Sequence, residues 1–252
     1  MRILVTGGAG YIGGVVGELL LRNHHEVTVL DNLVTGWREA VPAGADFVEA
    51  DMGDSAALDA AFQRGRFDAV MHFAAFIEAG ESVKHPELYF ENNSARALTL
   101  LKTVIQHRVP RFVFSSTAAV YGEPKNIPIL EDDPLAPTNP YGESKLIVER
   151  MLSWIHQAHG LRYASLRYFN AAGAIPNRGE AHKSESHLIP LILQVPLGLR
   201  KEVSMFGTDY PTKDGTCVRD YIHVEDLATA HLLALEGLSE HSRLICNLGS
   251  GT

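Results

Sequence analysis

The nine residues "VTGGAGYIG", Val5–Gly13, constrain this chain more than any other stretch. They follow "RILVT", which reads as a short buried strand, and they open "YIGGVVGELLLRN", which reads as a helix. Gly7, Gly10 and Gly13 form a GxxGxxG pattern. Glycine permits the tight turn and lets backbone N–H groups approach a pyrophosphate at the helix N-terminus. The plainer reading is a glycine turn that serves packing alone. The next strand, "VTVLD", favours the first reading because it ends in Asp31, at about the spacing of a ribose-binding acid. A carboxylate there accepts hydrogen bonds from the adenosine 2′- and 3′-hydroxyls and repels a 2′-phosphate. The expected cofactor is therefore NAD rather than NADP. Asp51, in "EADM" after the third strand, is either a contact for the adenine amino group or a plain loop aspartate.

The rest of the first half repeats the strand–helix alternation. "DFVEAD", "FDAVMHFAA", "RFVFSS" and "RYASLRYFN" read as strands. Helices are expected over Ser55–Gln63, over a long run from Glu87 to Arg108, and from Tyr141 to about His159. Continuous apolar strands alternating with amphipathic helices predict a doubly wound α/β fold, a parallel sheet covered on both faces. After Asn170 the texture turns polar and rich in Gly and Pro. "HLIPLILQVPLGL" reads as a short apolar helix interrupted by proline, and alternation resumes with a helix near Glu225–Leu238 and the strand "RLICNLG". The expected organisation is a sheet domain of residues 1–169 plus about 221–252, with a smaller substrate-binding lobe at about 170–220 and seven strands in the main sheet.

Charge and composition narrow the function. The 252 residues carry a net charge of −8, which disfavours non-specific binding to nucleic acid or an anionic membrane. Two cysteines, Cys217 and Cys246, give neither a disulfide framework nor a CxxC pair. With no signal peptide or membrane-spanning stretch read from the sequence, the expected location is cytoplasmic. The twelve histidines show no HExxH and no ligand spacing with cysteine, so no metal site is expected. His24 and His25 are expected at a helix end, His223 in packing, and Trp37 and Trp154 in packing or an interface.

The stretch "NPYGESKLIVERML" places Tyr141 four residues before Lys145, on one face of a helix. Chance surface spacing is the bland explanation. The chemical one is that a cation near a phenol favours phenolate and lowers the tyrosine pKa from about 10. A positively charged nicotinamide would lower it further. Tyr141 would then serve as a base for a hydroxyl whose carbon gives up hydride. "FVFSSTAAVYG" delivers Ser115, Ser116 and Thr117 to the same rim, where Thr117 can hydrogen-bond the substrate oxygen.

Together these motifs resemble the extended short-chain dehydrogenase/reductases. "HFAAFIEAGESV", "YFENN", "VYGEP", "NPYGESKLIVE", "LRYFNAAGA", "HLIPLILQV" and "FGTDYPTKDGTCVRDYIHVEDLATAH" are similar to the UDP-glucose 4-epimerase branch, over essentially the whole chain. The resemblance implies a redox-neutral reaction on tightly held NAD. Thr117, Tyr141 and Lys145 would be catalytic. Tyr141 takes the 4-hydroxyl proton while hydride leaves the sugar, the 4-keto sugar turns over, and hydride returns to its other face. The cofactor would be held by Gly7, Gly10, Tyr11, Ile12, Gly13, Asp31, Asn32, Asp51, Met52, Phe73, Ala74, Ala75, Asn92, Ser115, Tyr141, Lys145 and Tyr168. The UDP-sugar would meet Thr117, Tyr141, Asn170, His187, Leu188, Phe206 and Arg219, whose planar fork suits phosphate oxygens. The family also implies a homodimer pairing the Glu87–Arg108 helix with the helix after Tyr141, with Leu98, Leu101, Leu152 and Trp154 as apolar positions in excess of one sheet face.

Two departures stand out. Some members carry a lysine at the position of Ile77, and Lys84 lies too far along to replace it. The family pattern also continues past "NLGSGT" with a helix and further substrate-binding residues, so the sequence is expected to be a fragment of that pattern. Two other readings stay open: an enzyme acting on a UDP-pentose or UDP-N-acetylhexosamine, and a dinucleotide-binding module without turnover. A dehydratase fits less well, because "AAV" rather than an acidic pair follows Thr117.

Overall fold

Strand β1 (Arg2–Thr6) is apolar at every position but its ends, and Ile3, Leu4 and Val5 are wholly buried. A strand buried on both faces belongs at the centre of a parallel sheet. The computed structural model, which describes residues 1–183 and 185–251, places it there. Around it run α1 (Tyr11–Arg22), β2 (Glu26–Asp31), β3 (Asp46–Glu49), α2 (Ser55–Gly65), β4 (Ala69–His72), α3 (Ala79–Lys84), α4 (Pro86–Tyr89) and α5 (Arg96–Gln106). These are followed by β5 (Arg111–Thr117), α6 (Pro140–His159), β6 (Arg162–Tyr168), β7 (Asn170–Ala172), α7 (Leu188–Gln194), β8 (Tyr221–His223), α8 (Val224–Gly237) and β9 (Arg243–Leu248). The main sheet has seven strands in the order β3-β2-β1-β4-β5-β6-β9, all parallel.

Strand order reverses between β1 and β4, so the carboxyl ends of β1, β4 and β5 open on a crevice. In such sheets ligands bind at that switch point. Two apolar clusters fill the two faces. One joins α1 and α8 to the sheet through Val15, Leu20, Leu227 and Leu235; the other joins α2, α5 and α6 through Phe62, Leu100, Val104, Val148 and Leu152. The strand "RLICNLG" returns to the sheet as β9 beside β6, as expected.

Three expectations need correction. "RYASLRYFN" is not one strand: β6 ends at Tyr168, and β7 leaves to pair with β8 in a separate two-stranded parallel sheet. The long helix is not uniform either. Phe90–Ala95 forms a π-helical segment between α4 and α5, and that wider turn carries Asn92, Asn93 and Ser94 inward, where all three are buried. Finally, Leu101 and Leu152 are fully buried in the sheet core, whereas Leu98 and Trp154 are exposed. Of the four apolar positions expected to exceed one sheet face, two are spent on it.

Residues 170–220 contain β7, α7 and long irregular stretches. Here Leu193, Leu197, Leu199, Met205 and Phe206 are exposed. No helix among the described residues is long and apolar enough to cross a membrane.

Candidate active site

The glycine loop is tight for identifiable reasons. Gly7 has φ +76°, a left-handed conformation, and a Cβ there would lie 2.5 Å from the Ala74 amide nitrogen. A Cβ on Gly13 would collide with the Gly7 carbonyl. The loop therefore packs against the strand end, where the Phe73 and Ala74 amides both donate to the Thr6 carbonyl at 2.9 and 3.1 Å. Gly10 occupies the capping position before α1 and has no side chain to cap it, and no acid lies in the first turn of the helix. Helices α2, α6 and α8 are capped by Asp54, Asn139 and His223. The first-turn N–H groups of α1, those of Tyr11 and Ile12 among them, are left without intrahelical acceptors at the positive end of the helix dipole. That is what a pyrophosphate needs, and it fits NAD.

Asp31 is buried at the end of β2. Its oxygens accept from the Ala9 and Leu33 amides at 3.0 and 2.9 Å, which aims the carboxylate beside the loop. Burial raises its pKa, while those two amides and the nearby Lys183 work the other way. Asp51 and Asn32 are joined to each other at 2.8 Å, and Asp51 also accepts from Arg96 at 2.5 Å and from the Gly53 amide. Asp51 is thus already engaged by a cation and two amides. Met52 is buried in the core beneath them.

At the end of β5 the catalytic candidates converge. The Thr117 oxygen accepts from the Ala119 amide at 3.1 Å, and its hydroxyl lies close enough to the Tyr141 phenol to oppose the rise in that group's pKa. Asn139 caps α6 through the Gly142 amide at 2.8 Å, which sets Tyr141 in the first turn. Lys145 is buried; its Nζ donates to the Ser115 carbonyl at 2.9 Å and lies 5.1 Å from the centroid of the Phe114 ring. Burial lowers its pKa to about 7. This corrects the expected tuning. Burial raises the Tyr141 pKa, the Thr117 hydroxyl opposes it, and Glu78 raises it further. Lys145 spends its proton on a backbone carbonyl, so in the protein alone desolvation outweighs any cationic effect on the phenol.

Tyr168 stands behind this group. His231 Nδ1 faces the Leu227 carbonyl at 2.7 Å, so it carries the proton and Nε2 accepts from the Tyr168 hydroxyl. Ser115 lies beside the Tyr168 hydroxyl and works against the rise in its pKa caused by burial. Burial holds His231 near pKa 4, which keeps the imidazole neutral and the chain of bonds fixed.

Sequence reasoning missed several supports. Asn93, rather than Asn92, is the hub of the π segment. It accepts from the Phe76 amide at 2.8 Å and donates to the Phe76 carbonyl and to Ser144 Oγ at 2.9 and 3.1 Å. Asn92 donates to Asn93 at 3.0 Å. Arg167 and Glu149 form a buried two-pronged pair at 3.0 and 2.7 Å, and Ser116 donates to the same carboxylate at 2.5 Å. No linear motif reveals such a pair, since its members meet only when β6 lies beside α6. His223 is not a packing residue: it is exposed and caps α8 by accepting from the Glu225 amide at 3.2 Å. His24 adopts φ +60° just past the end of α1.

The substrate candidates are less assembled. Asn170 donates to the Asp220 carbonyl at 2.7 Å, which leaves its own oxygen as an acceptor. Leu188, Phe206 and Arg219 are exposed. His187 precedes α7 with Nδ1 against Glu185 at 2.8 Å and Glu180 at 3.0 Å. Ile77 is exposed near the crevice rim, and Lys84 ends α3.

The chain is similar to known proteins over essentially its whole length. A curated UDP-glucose 4-epimerase of Halalkalibacterium halodurans is 54% identical over 254 residues, covering 100% of this chain and 76% of the relative. A crystal structure of UDP-glucose 4-epimerase from Brucella ovis in complex with NAD superposes with a TM-score of 0.96 at 45% identity, covering 99% of this chain and 78% of that one. The Bifidobacterium longum UDP-glucose 4-epimerase in complex with NAD+ and UDP gives a TM-score of 0.96 at 38% identity, covering 100% and 79%. The model of the NAD dependent epimerase/dehydratase family matches residues 3–249, and the chain belongs to that family.

Proposed function

We propose that this protein interconverts UDP-glucose and UDP-galactose by oxidation and re-reduction at sugar C4 through a 4-keto sugar, with NAD as cofactor. The observation that carries this reading is the meeting of Thr117, Tyr141 and Lys145 at the carboxyl end of β5, beside an uncapped glycine-loop helix and a buried Asp31. Relatives named for that activity at about half identity over the whole chain support it. Bound NAD supplies the hydride acceptor and donor. Gly7, Gly10, Gly13 and the first turn of α1 would hold its pyrophosphate, and Asp31 its adenosine ribose. Lys145, Tyr168 and Ser115 would frame the nicotinamide end.

Tyr141 removes and returns the 4-hydroxyl proton. Its phenol is raised by burial, so the proton it returns is firmly held; phenolate forms only when positive charge offsets that cost. Thr117 lies beside the phenol and steadies the oxygen that titrates. Asn170, His187, Leu188, Phe206 and Arg219 would bind the UDP-sugar in a lobe of residues 170–220. We also infer a cytoplasmic homodimer built on α5 and α6, whose outer faces expose Leu98 and Trp154.

The test is to incubate the protein with NAD and UDP-galactose and follow the sugar anomeric signals by NMR. The expected result is UDP-glucose approached from either side to one equilibrium ratio. No conversion from either side, with NAD bound, would overturn the reading.

A further inference from the structure

The described residues of 173–183 and 185–187 lie along the mouth of the cofactor crevice, and several of them are tied down. Tyr11 donates to the Gly173 carbonyl at 2.6 Å, and Arg178 pairs with Glu18 at 3.1 Å. Trp37 donates to the Ala181 carbonyl at 2.7 Å. Lys183 donates to the Leu33 and Val34 carbonyls at 2.9 Å each, and Ser186 donates to Glu78 at 2.5 Å. The anchors reach α1, the end of β2 and the segment after β4, which are the elements that frame a dinucleotide.

Within this strap four side chains turn toward one point. Glu180, His182, Glu185 and His187 each offer one nitrogen or oxygen, and the four atoms lie within 4.8 Å of one another. His187 Nδ1 is 3.0 Å from Glu180 and 2.8 Å from Glu185. His182 Nδ1 is 3.2 Å from the same Glu180 oxygen and 3.7 Å from the other Glu185 oxygen, Oε2. A tetrahedral zinc site with bonds of roughly 2.0–2.2 Å has ligand atoms about 3.3 Å apart. These distances straddle that figure. Both glutamates are largely covered, with side-chain exposures of 9% and 12%. His182 Nδ1 is itself buried yet makes no well-directed hydrogen bond. A nitrogen that close to a carboxylate but off its hydrogen-bond line is arranged more like a fellow ligand than like a donor.

The donor set selects the ion. Two imidazoles and two carboxylates suit zinc and similar divalent transition metals, whereas magnesium and calcium prefer oxygen alone. The two carboxylates supply negative charge that a dication neutralises. The spacing Glu-x-His-x-x-Glu-x-His is visible in "EAHKSESH" but matches none of the helical or cysteine-based metal patterns, which is why the sequence reading passed over it.

We propose that Glu180, His182, Glu185 and His187 bind one divalent transition-metal ion of the zinc class, which clasps the strap over the cofactor crevice. Tag-free protein, stripped with chelator and dialysed, is titrated with zinc by calorimetry and with cobalt by visible spectroscopy. The expected result is one ion per chain, the intense d–d bands of tetrahedral cobalt, and a higher melting temperature with zinc. His182→Asn and Glu185→Gln, each checked for native circular dichroism, should weaken binding on the order of a hundredfold. No uptake by the wild type overturns the proposal. Uptake unchanged in whichever variants remain folded overturns it as well, because the ion then sits elsewhere. Neither readout depends on epimerisation, so the site stands or falls apart from the proposed reaction.

Discussion

Lys145 shows how burial can reverse an argument made from charge alone. Next to a phenol, an ammonium should stabilise phenolate. Buried, it is itself pushed from 10.5 down to about 7. The sign of the pH effect follows. Between those values the unfolded chain binds the proton that the folded chain has lost, so stability rises with pH across that window and is lost as pH falls toward 7. Urea midpoints of the cofactor-free protein, taken as the difference between wild type and Lys145→Met, should therefore grow from pH 7 to pH 9. A flat difference would mean that the amine keeps an ordinary pKa. The YxxxK spacing was enough to find this residue, because helical periodicity puts positions four apart on one face. Its electrostatic state was not legible, since that depends on β5 covering it with Phe114 and the Ser115 carbonyl.

The elements that present the site are held by polar links between strand and helix. The Arg167–Glu149 pair ties β6 to α6, and Ser116 joins β5 to the same carboxylate. Arg167 also donates to the Tyr121 hydroxyl at 2.7 Å, and Tyr121 donates to Asn247 at 2.6 Å, so the network runs on to β9. Removing one member of a buried pair leaves an unpaired charge and costs about 3–5 kcal/mol. Arg167→Met should lower unfolding stability by about that amount, measured by urea denaturation, even though it deletes no group placed against substrate or cofactor. A loss below about 1 kcal/mol would show that the pair is dispensable. Strands and helices were legible because continuous apolar runs and amphipathic periods differ in kind. The π segment at Phe90–Ala95 was not, because no residue in "YFENNSARAL" distinguishes a π turn from an α turn. Its cause is tertiary: Asn93 must reach both Phe76 and Ser144.

For the whole molecule, a helix pair that presents Leu98 and Trp154 to solvent, with Leu88 and Phe90 exposed on the adjoining turn, is consistent with a two-fold helix bundle. Sedimentation at micromolar concentration should give a dimer, and Trp154→Glu should shift it toward monomer while circular dichroism stays native. A wild-type monomer would remove the inferred assembly. The doubly wound parallel sheet was readable from strand–helix alternation, while its strand order and switch point come only from the folded chain. The path of the described residues of 173–183 and 185–187 along the crevice was not readable either, because a polar Gly- and Pro-containing stretch carries no period to read. Only the folded chain shows Trp37, Lys183 and Ser186 tying it down.

Tyr141 is the group proposed to move the sugar proton, and Tyr141→Phe isolates it. The substitution keeps the ring in the first turn of α6 and removes one hydroxyl. Epimerisation of UDP-galactose is measured beside NAD binding in the same preparation. The predicted result is NAD affinity close to wild type with turnover lower by on the order of a hundredfold or more, the weight of a positioned acid–base group. Turnover near wild type with NAD bound would contradict the assignment of the phenol as the base.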